Sequence, residues 1–330
     1  MKAQRITLDD IATLAGVTKM TVSRYLRTPE KVKPETAQRI ACVIAEVGYQ
    51  PDADNPAISS NIAPRIGVLI PSFNNQIFAD VLAGVESVTT AHGYQTLVVN
   101  YDYDSLREEE QIATVLALNV KALLLTESVH TLRAEKYLKA AKIPIAEVMG
   151  LSDNTGRINV GFDNYRAGFD MTNMLLASGK KQIIYFGSMS DIRDEQRYAG
   201  YCDAMEATGL AVGRIAPNKV SSVSIGTGMM TLARQMYKEM DAILCTNDDL
   251  AVGVLQECLA AGITVPQEMA IAGFHGLEIG QIVSPRLASV LTPRFEMGKV
   301  ATEILIKKIK GLPTIEKVDL HYRLLMGETI

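Results

Sequence analysis

Along the first fifty residues the apolar positions follow a helical period. Leu8, Ile11, Ala12 and Ala15 fall at i, i+3, i+4 and i+7, the stripe of a short amphipathic helix. Thr7 is placed to cap its start, with Asp10 three residues on completing a capping box, and Gly16 supplies the positive φ that ends it. Val17 then turns inward. Thr18 caps a second helix from Lys19 to about Leu26, whose apolar positions are Val22 and Leu26. A third helix opens at Pro34, with Ala37, Ile40, Ala41, Ile44 and Val47 as its inner stripe and Gly48 as its stop. Lys33 is a poor cap for it. Two short helices joined by a glycine turn, closed by a third, predict a helix-turn-helix module.

From Arg65 onward the pattern changes to short apolar runs alternating with amphipathic helices. Strands are expected at 66–71, 96–100, 122–126, 145–148, 183–186, 242–245 and 269–273. Helices are expected at 78–92, 106–118, 133–141, 166–178, 195–207, 228–237 and 249–260. This β–α alternation predicts an α/β body of doubly wound parallel sheets, in which ligands sit at the carboxyl ends of the strands.

Composition narrows the function classes. At 330 residues, 48% hydrophobic and 21% charged, the chain is a globular protein and not a disordered or collagenous one. The net charge of −4 conceals an asymmetry: residues 1–50 carry eight basic against five acidic residues, the remainder 25 against 32. A basic module on an acidic body points to polyanion binding at the N-terminal end. Cys42, Cys202, Cys245 and Cys258 form no CxxC pair and read as small apolar residues of a reducing compartment. The N-terminus has no export signal and no apolar run reaches 18 residues, so a cytoplasmic location without membrane contact is expected.

On the second helix Val22 faces inward, while Lys19, Met20, Ser23 and Arg24 form the other face, the one that would enter a major groove. Arg24 suits bidentate pairing with guanine, Lys19 a base or a phosphate, and Met20 a thymine methyl. The hydroxyls of Thr18, Thr21 and Ser23 suit helix capping and phosphates. A solvated helix face is the plain alternative; the glycine turn, the third helix and the local positive charge argue against it.

The run Thr7-Leu8-x-Asp10-Ile11-Ala12-x-x-Ala15-Gly16-Val17-Thr18-x-x-Thr21-Val22-Ser23-Arg24, continued by Gly48-Tyr49-x-Pro51, resembles the headpiece of the lactose-repressor/galactose-repressor (LacI/GalR) family, and the resemblance extends over essentially the whole chain. It implies double-stranded operator DNA as partner, a homodimer, and Lys19, Met20 and Arg24 as base readers. It also implies a headpiece over 1–50 and a hinge over 51–64 that pairs in the minor groove with Ile58 as the wedge. Asp52, Asp54 and Pro56 depart from the family's hinge pattern, which predicts weaker or differently bent operator binding. The body, 65–330, is implied to have two lobes, 65–162 with 292–318 and 163–291 with 319–330, and an effector cleft between them.

Polar residues at the strand ends are the candidate effector site: Ser72, Phe73, Asn74 and Phe78, then Thr126, Asp163, Arg197, Asn247, His275, Thr292 and Arg294. Asp163 and Asn247 read equally well as helix N-caps. The resemblance implies that the Arg197 position grips the effector. His275 stands where the family commonly has an aspartate for sugar hydroxyls, and Arg294 where sugar binders are often neutral. With Arg197 these favour a carboxylate, hence a sugar acid of gluconate, L-idonate or 5-ketogluconate type. The chain resembles the gluconate and idonate group within the family, and Arg193-Asp194-Glu195-Gln196-Arg197-Tyr198 and Leu277-Glu278-Ile279-Gly280 resemble its idonate type more.

Other chemistry finds little support. Gly226-Thr227-Gly228 lacks the third glycine of a dinucleotide loop. His92, His130, His275 and His321 show no ligand spacing, and there is no GxSxG, HExxH or P-loop, so neither metal, cofactor nor enzymatic activity is expected. The chain ends at Ile330 without a leucine heptad, which predicts a dimer and not a tetramer. An exported solute-binding protein would share the two-lobed body; the missing signal and the basic headpiece favour a DNA-binding regulator.

Overall fold

The computed structural model describes residues 7–47, 49, 63–152, 156–189 and 191–330, in two units divided at Pro64 and Arg65. In the first unit α1 spans Leu8–Ala15, α2 Lys19–Arg27 and α3 Pro34–Glu46, with a 3-10 turn over Pro29–Lys31. The α1 capping box is formed: Thr7 N–H donates to Asp10 Oδ2 at 2.7 Å and Asp10 N–H to Thr7 Oγ1 at 3.3 Å. Gly16, at φ 62°, ends the helix in the left-handed region. No side chain caps α3 at Lys33.

Ile11, Ala12, Ala15, Val22 and Ile40 form the headpiece core, with Val43 and Ile44 packed against it. Ala41 departs from the expected stripe. It is exposed, because Ile40 turns fully inward and its i+3 and i+4 neighbours, Val43 and Ile44, share its face. Gly48, the expected stop of α3, lies outside the described residues, as do Asp52, Asp54, Pro56 and the wedge residue Ile58.

The second unit carries two six-stranded sheets. The first lobe is built from β1 (Arg65–Ile70), α4 (Gln76–Ala91), β2 (Gln95–Asn100), α5 (Ser105–Ala117), β3 (Ala122–Leu125), α6 (Leu132–Ala141), β4 (Ile145–Val148) and β5 (Ile158–Gly161). The second follows with α7 (Asn164–Ala177), β6 (Ile183–Phe186), α8 (Ile192–Ala207), β7 (Arg214–Ile215), α9 (Val223–Met236), β8 (Ala242–Cys245), α10 (Asp248–Ala260), β9 (Ala270–His275), α11 (Glu278–Ile282) and β10 (Ala288–Leu291). The chain then returns: α12 (Arg294–Ile309) and β11 (Lys317–Asp319) complete the first lobe, and β12 (Arg323–Leu325) the second.

The strand orders are β11-β5-β4-β3-β1-β2 and β12-β10-β9-β8-β6-β7, parallel throughout except for β12 against β10. Buried runs such as Ala122–Leu125 and Ala242–Cys245, covered on both faces, are what such sheets require. The strands β5, β7, β10, β11 and β12 and the helices α11 and α12 are not among the elements expected from the pattern. All but α12, which lies in the stretch implied to return to the first lobe, are only two to five residues long and too short to stand out.

One packing detail sets the cleft geometry. α7 and α8 cross at Gly168 and Gly200, where a Cβ would overlap the carbonyls of Arg197 and Tyr165 respectively. Close approach of the two helices places Arg197 directly beside the start of α7.

Candidate functional site

The α2 face presents Lys19, Met20, Arg24 and Arg27 to solvent, Met20 being 74% exposed. Two details differ from the simplest sequence reading. Lys19 Nζ donates to Asp9 Oδ2 at 2.6 Å, and the hydroxyls expected at phosphates are engaged within the headpiece. Thr18 Oγ1 lies 2.9 Å from Thr21 Oγ1 and accepts from Thr21 N–H at 3.3 Å, while Ser23 Oγ accepts from Arg27 Nη2 at 2.7 Å.

In the body, the loops after β1, β2, β4, β6, β7, β8 and β9 converge on a chamber between the two lobes. It holds about 580 Å³ of atom-free space, open solvent at its mouth included. Of the residues singled out by sequence, Phe78, Arg197, Asn247 and His275 line it. Ser72, Phe73 and Asn74 sit instead on the turn before α4, with Phe73 61% exposed. Thr126 is buried beneath the floor, where its hydroxyl donates to the Leu69 carbonyl at 3.1 Å. Asp163 is exposed and caps α7 by accepting from Arg166 N–H at 2.9 Å. Asn247 also caps a helix, its Oδ1 accepting from Leu250 N–H at 3.0 Å.

Thr292 and Arg294 lie in a separate groove beside the lobe crossovers. The expectation that Arg294 joins Arg197 at the ligand carboxylate is therefore corrected. Its Nε donates to Asp80 Oδ2 at 2.8 Å and its Nη1 to the His275 carbonyl, so its charge is already paired. Thr292 acts on the chamber through His275, with Oγ1 3.1 Å from His275 Nδ1.

Arg197 is different. It is 5% exposed, its Nε donates to Asn164 Oδ1 at 2.9 Å, and its Nη1 donates to the Thr246 carbonyl at 2.8 Å. Both acceptors are neutral. The guanidinium also stands 3.9 Å over the Phe274 ring centroid. Burial pulls this guanidinium below its ordinary value, against the attraction of Tyr185, Asp191 and Asp194. His275, fully enclosed, is held well below the usual imidazole range first by burial and then by Arg197, Arg294 and Arg193. It is therefore neutral at physiological pH. The chamber thus contains a buried cation without a contacting carboxylate, a neutral histidine, a ring of hydroxyl and amide groups, and the charged side chains of Asp191, Arg193 and Asp194, which are paired with one another or with neighbours.

Sequence reasoning passed over Arg193 and Asp191. Arg193 on α8 donates through Nη1 to the Thr126 carbonyl and through Nη2 to Glu127 Oε1, both at 2.8 Å. Its Nε donates to Asp191 Oδ1 at 2.9 Å. A charge between two acids at a helix start resembles a solvated face, and nothing in the pattern shows that it crosses to the other lobe.

A helix-turn-helix unit followed along the chain by a two-lobed α/β body with a chamber between its lobes is the build of a DNA-binding transcriptional regulator. The match is reflected in known proteins. Residues 7–52 match the model of bacterial regulatory proteins of the lacI family, and residues 172–330 a periplasmic binding protein-like domain. The chain is 47% identical to the HTH-type transcriptional regulator IdnR of Escherichia coli K12 and 44% identical to GntR of the same strain, covering all of each. The crystal structure of a LacI family transcriptional regulator from Silicibacter pomeroyi superposes with a TM-score of 0.87 at 29% identity, covering 98% of this chain and 99% of that one. The chain belongs to the lacI family of bacterial regulatory proteins; it is a transcriptional regulator and not an enzyme. No helix among the described residues is long and apolar enough to cross a membrane.

Proposed function

We propose that this regulator binds its operator as a homodimer, and that a sugar acid of gluconate, L-idonate or 5-ketogluconate type held between the lobes controls that binding. The observation that carries the reading is Arg197, a buried guanidinium bonded only to neutral acceptors. A buried charge calls for a counter-charge, and a ligand carboxylate is the group that supplies one. Asn247, His275, Ser188 and Ser221 line the same chamber and serve the hydroxyls of an open-chain acid. The names of the relatives IdnR and GntR agree with this class. In the headpiece, Lys19, Met20 and Arg24 read base edges, while Thr18, Thr21 and Ser23 hold the helix and meet phosphates. Ile58 serves as the minor-groove wedge.

The test is calorimetric titration of the full chain with D-gluconate, L-idonate, 5-keto-D-gluconate and glucose, followed by operator gel shifts with and without the bound ligand. Binding of an acid that is lost in Arg197→Ala supports the reading. Binding of glucose alone overturns the sugar-acid part and leaves the DNA-binding role intact.

A further inference from the structure

The space between the lobes has a second chamber. It is outlined by Tyr101, Glu108, Glu127, Val129 and Glu195, and holds about 940 Å³ of atom-free space, open solvent included. Tyr103, Met189 and Asp191 line both chambers and so form the partition between them. Arg193 completes that partition. Rooted in α8 of the second lobe, it spans to Thr126 and Glu127 of the first, and its side chain is 8% exposed.

The two sides of the wall differ in chemistry. The inner chamber offers Arg197, a donor without a contacting anion; its own carboxylates, Asp191 and Asp194, are already engaged by Arg193 and by Tyr185 and Arg214. The outer one is rich in acceptors. Glu108 is 1% exposed and lines it; Oε2 lies 3.1 Å from His130 Nδ1, while Oε1 has no hydrogen-bond partner among the described residues. Buried acceptors ordinarily have donors, and a ligand hydroxyl is one. Glu127 accepts from Tyr101 and from Arg193, and Glu195 from Arg214. A neutral polyol meets this surface as a hydroxyl donor; a second carboxylate would be repelled.

We propose that Arg193 is a specificity residue that sets ligand length. The Glu127–Arg193–Asp191 ion triplet ends the inner chamber after one sugar unit, and the outer chamber is a latent subsite for the neutral sugar of a glycosylated sugar acid. This rests on the reading of the inner chamber as a sugar-acid site. Selectivity of this kind is exclusion: a longer ligand must break a largely buried ion triplet before it fits.

Lactobionate, a gluconate carrying galactose on O4, is the probe. The full chain, Arg193→Ala and the double variant Arg193→Ala/Glu127→Ala are titrated with gluconate and lactobionate. The double variant removes a carboxylate that the single change leaves unpaired. The parent chain is expected to bind lactobionate about 100-fold more weakly than gluconate, and the variants to narrow that gap below about tenfold. Adding Glu108→Gln to the double variant weakens lactobionate several-fold and leaves gluconate unchanged. Lactobionate binding by the parent within about tenfold of gluconate overturns the proposal, as does a variant with native thermal melting that keeps the full gap. If the parent binds none of gluconate, L-idonate and 5-ketogluconate, the sugar-acid reading fails. The neutral pair glucose and cellobiose then judges the wall by the same narrowing of the gap.

Discussion

Arg294 and Asp80 stand 214 positions apart in sequence, yet Arg294 Nε donates to Asp80 Oδ2 at 2.8 Å. The bond ties the start of α12 to α4 within the first lobe, and the same guanidinium reaches the carbonyl of His275 in the second. The two partners are unequally placed: the Arg294 side chain is 9% exposed and that of Asp80 36%. Removing Asp80 strands a buried cation, whereas removing Arg294 leaves a carboxylate that water can reach. Asp80→Ala is therefore expected to cost about 3 kcal/mol and Arg294→Met about 1 kcal/mol. Urea unfolding checks this, and the reverse order would show that Asp80 is not the main counter-charge.

Arg197 makes a geometric demand that lysine does not meet. Its fork serves Asn164 and the Thr246 carbonyl at once while still facing the chamber. A lysine ammonium satisfies one of these sites at most. Arg197→Lys is expected to weaken sugar-acid binding about 100-fold, close to the loss in Arg197→Ala. A saturating acid at about 100 times its Kd stabilises the parent by about 2.7 kcal/mol, which thermal melting registers as a rise of several degrees. The rise is expected to shrink to about 0.4 kcal/mol in both variants; its full survival in Arg197→Lys would mean that charge alone suffices.

Much of this site was legible because local rules and global fold agree where the chain is strongly patterned. Phe78 and Asn247 stand at the starts of α4 and α10, His275 at the end of β9 and Arg197 in the second turn of α8, all elements that the apolar runs announce, and they line one chamber. Thr7, Thr18, Asp163 and Asn247 cap the helices their positions suggest. Where the reading fell short, the cause is long-range pairing. Whether an arginine faces ligand or a carboxylate depends on Asp80 for Arg294 and on Glu127 for Arg193, and neither partner is local. The three-residue β11 pairs only with β5, far back in the chain, and β5 itself is four residues long, so no local periodicity marks either.

His130 gives the first lobe a distinctive pH dependence. Its side chain is fully buried, which opposes its charge. The hydrogen bond to Glu108 and the Glu147 carboxylate, with Oε1 3.8 Å away, outweigh burial and push the imidazole up to about 9. A histidine raised on folding contributes stability that is fully present below its unfolded pKa of about 6.5. That contribution, on the order of 3 kcal/mol, is lost as pH rises through about 9. Urea midpoints are expected to fall between pH 6 and pH 9.5 in the parent. His130→Gln starts lower and changes little over the same range. An equally steep fall in the variant would assign the titration to another group.

The Asp9–Lys19 pair engages, within the headpiece, a side chain that we propose reads the operator. Both side chains are well exposed, at 63% and 59%, so the pair itself is worth little to folding. Its effect on binding is larger, because operator phosphates meet a carboxylate next to the ammonium that is to reach the groove. Asp9→Asn is expected to leave thermal stability within about 0.5 kcal/mol of the parent. Operator affinity should rise about three- to tenfold at moderate salt, with a steeper dependence on salt concentration. If Lys19 reads a base edge, the gain is greater on the operator than on a scrambled duplex. Arg24→Ala provides the opposite control, losing about 1–3 kcal/mol of that discrimination. A gain of equal size on both duplexes would reassign Lys19 to the phosphate backbone, and no gain at all would show that Asp9 does not restrain it.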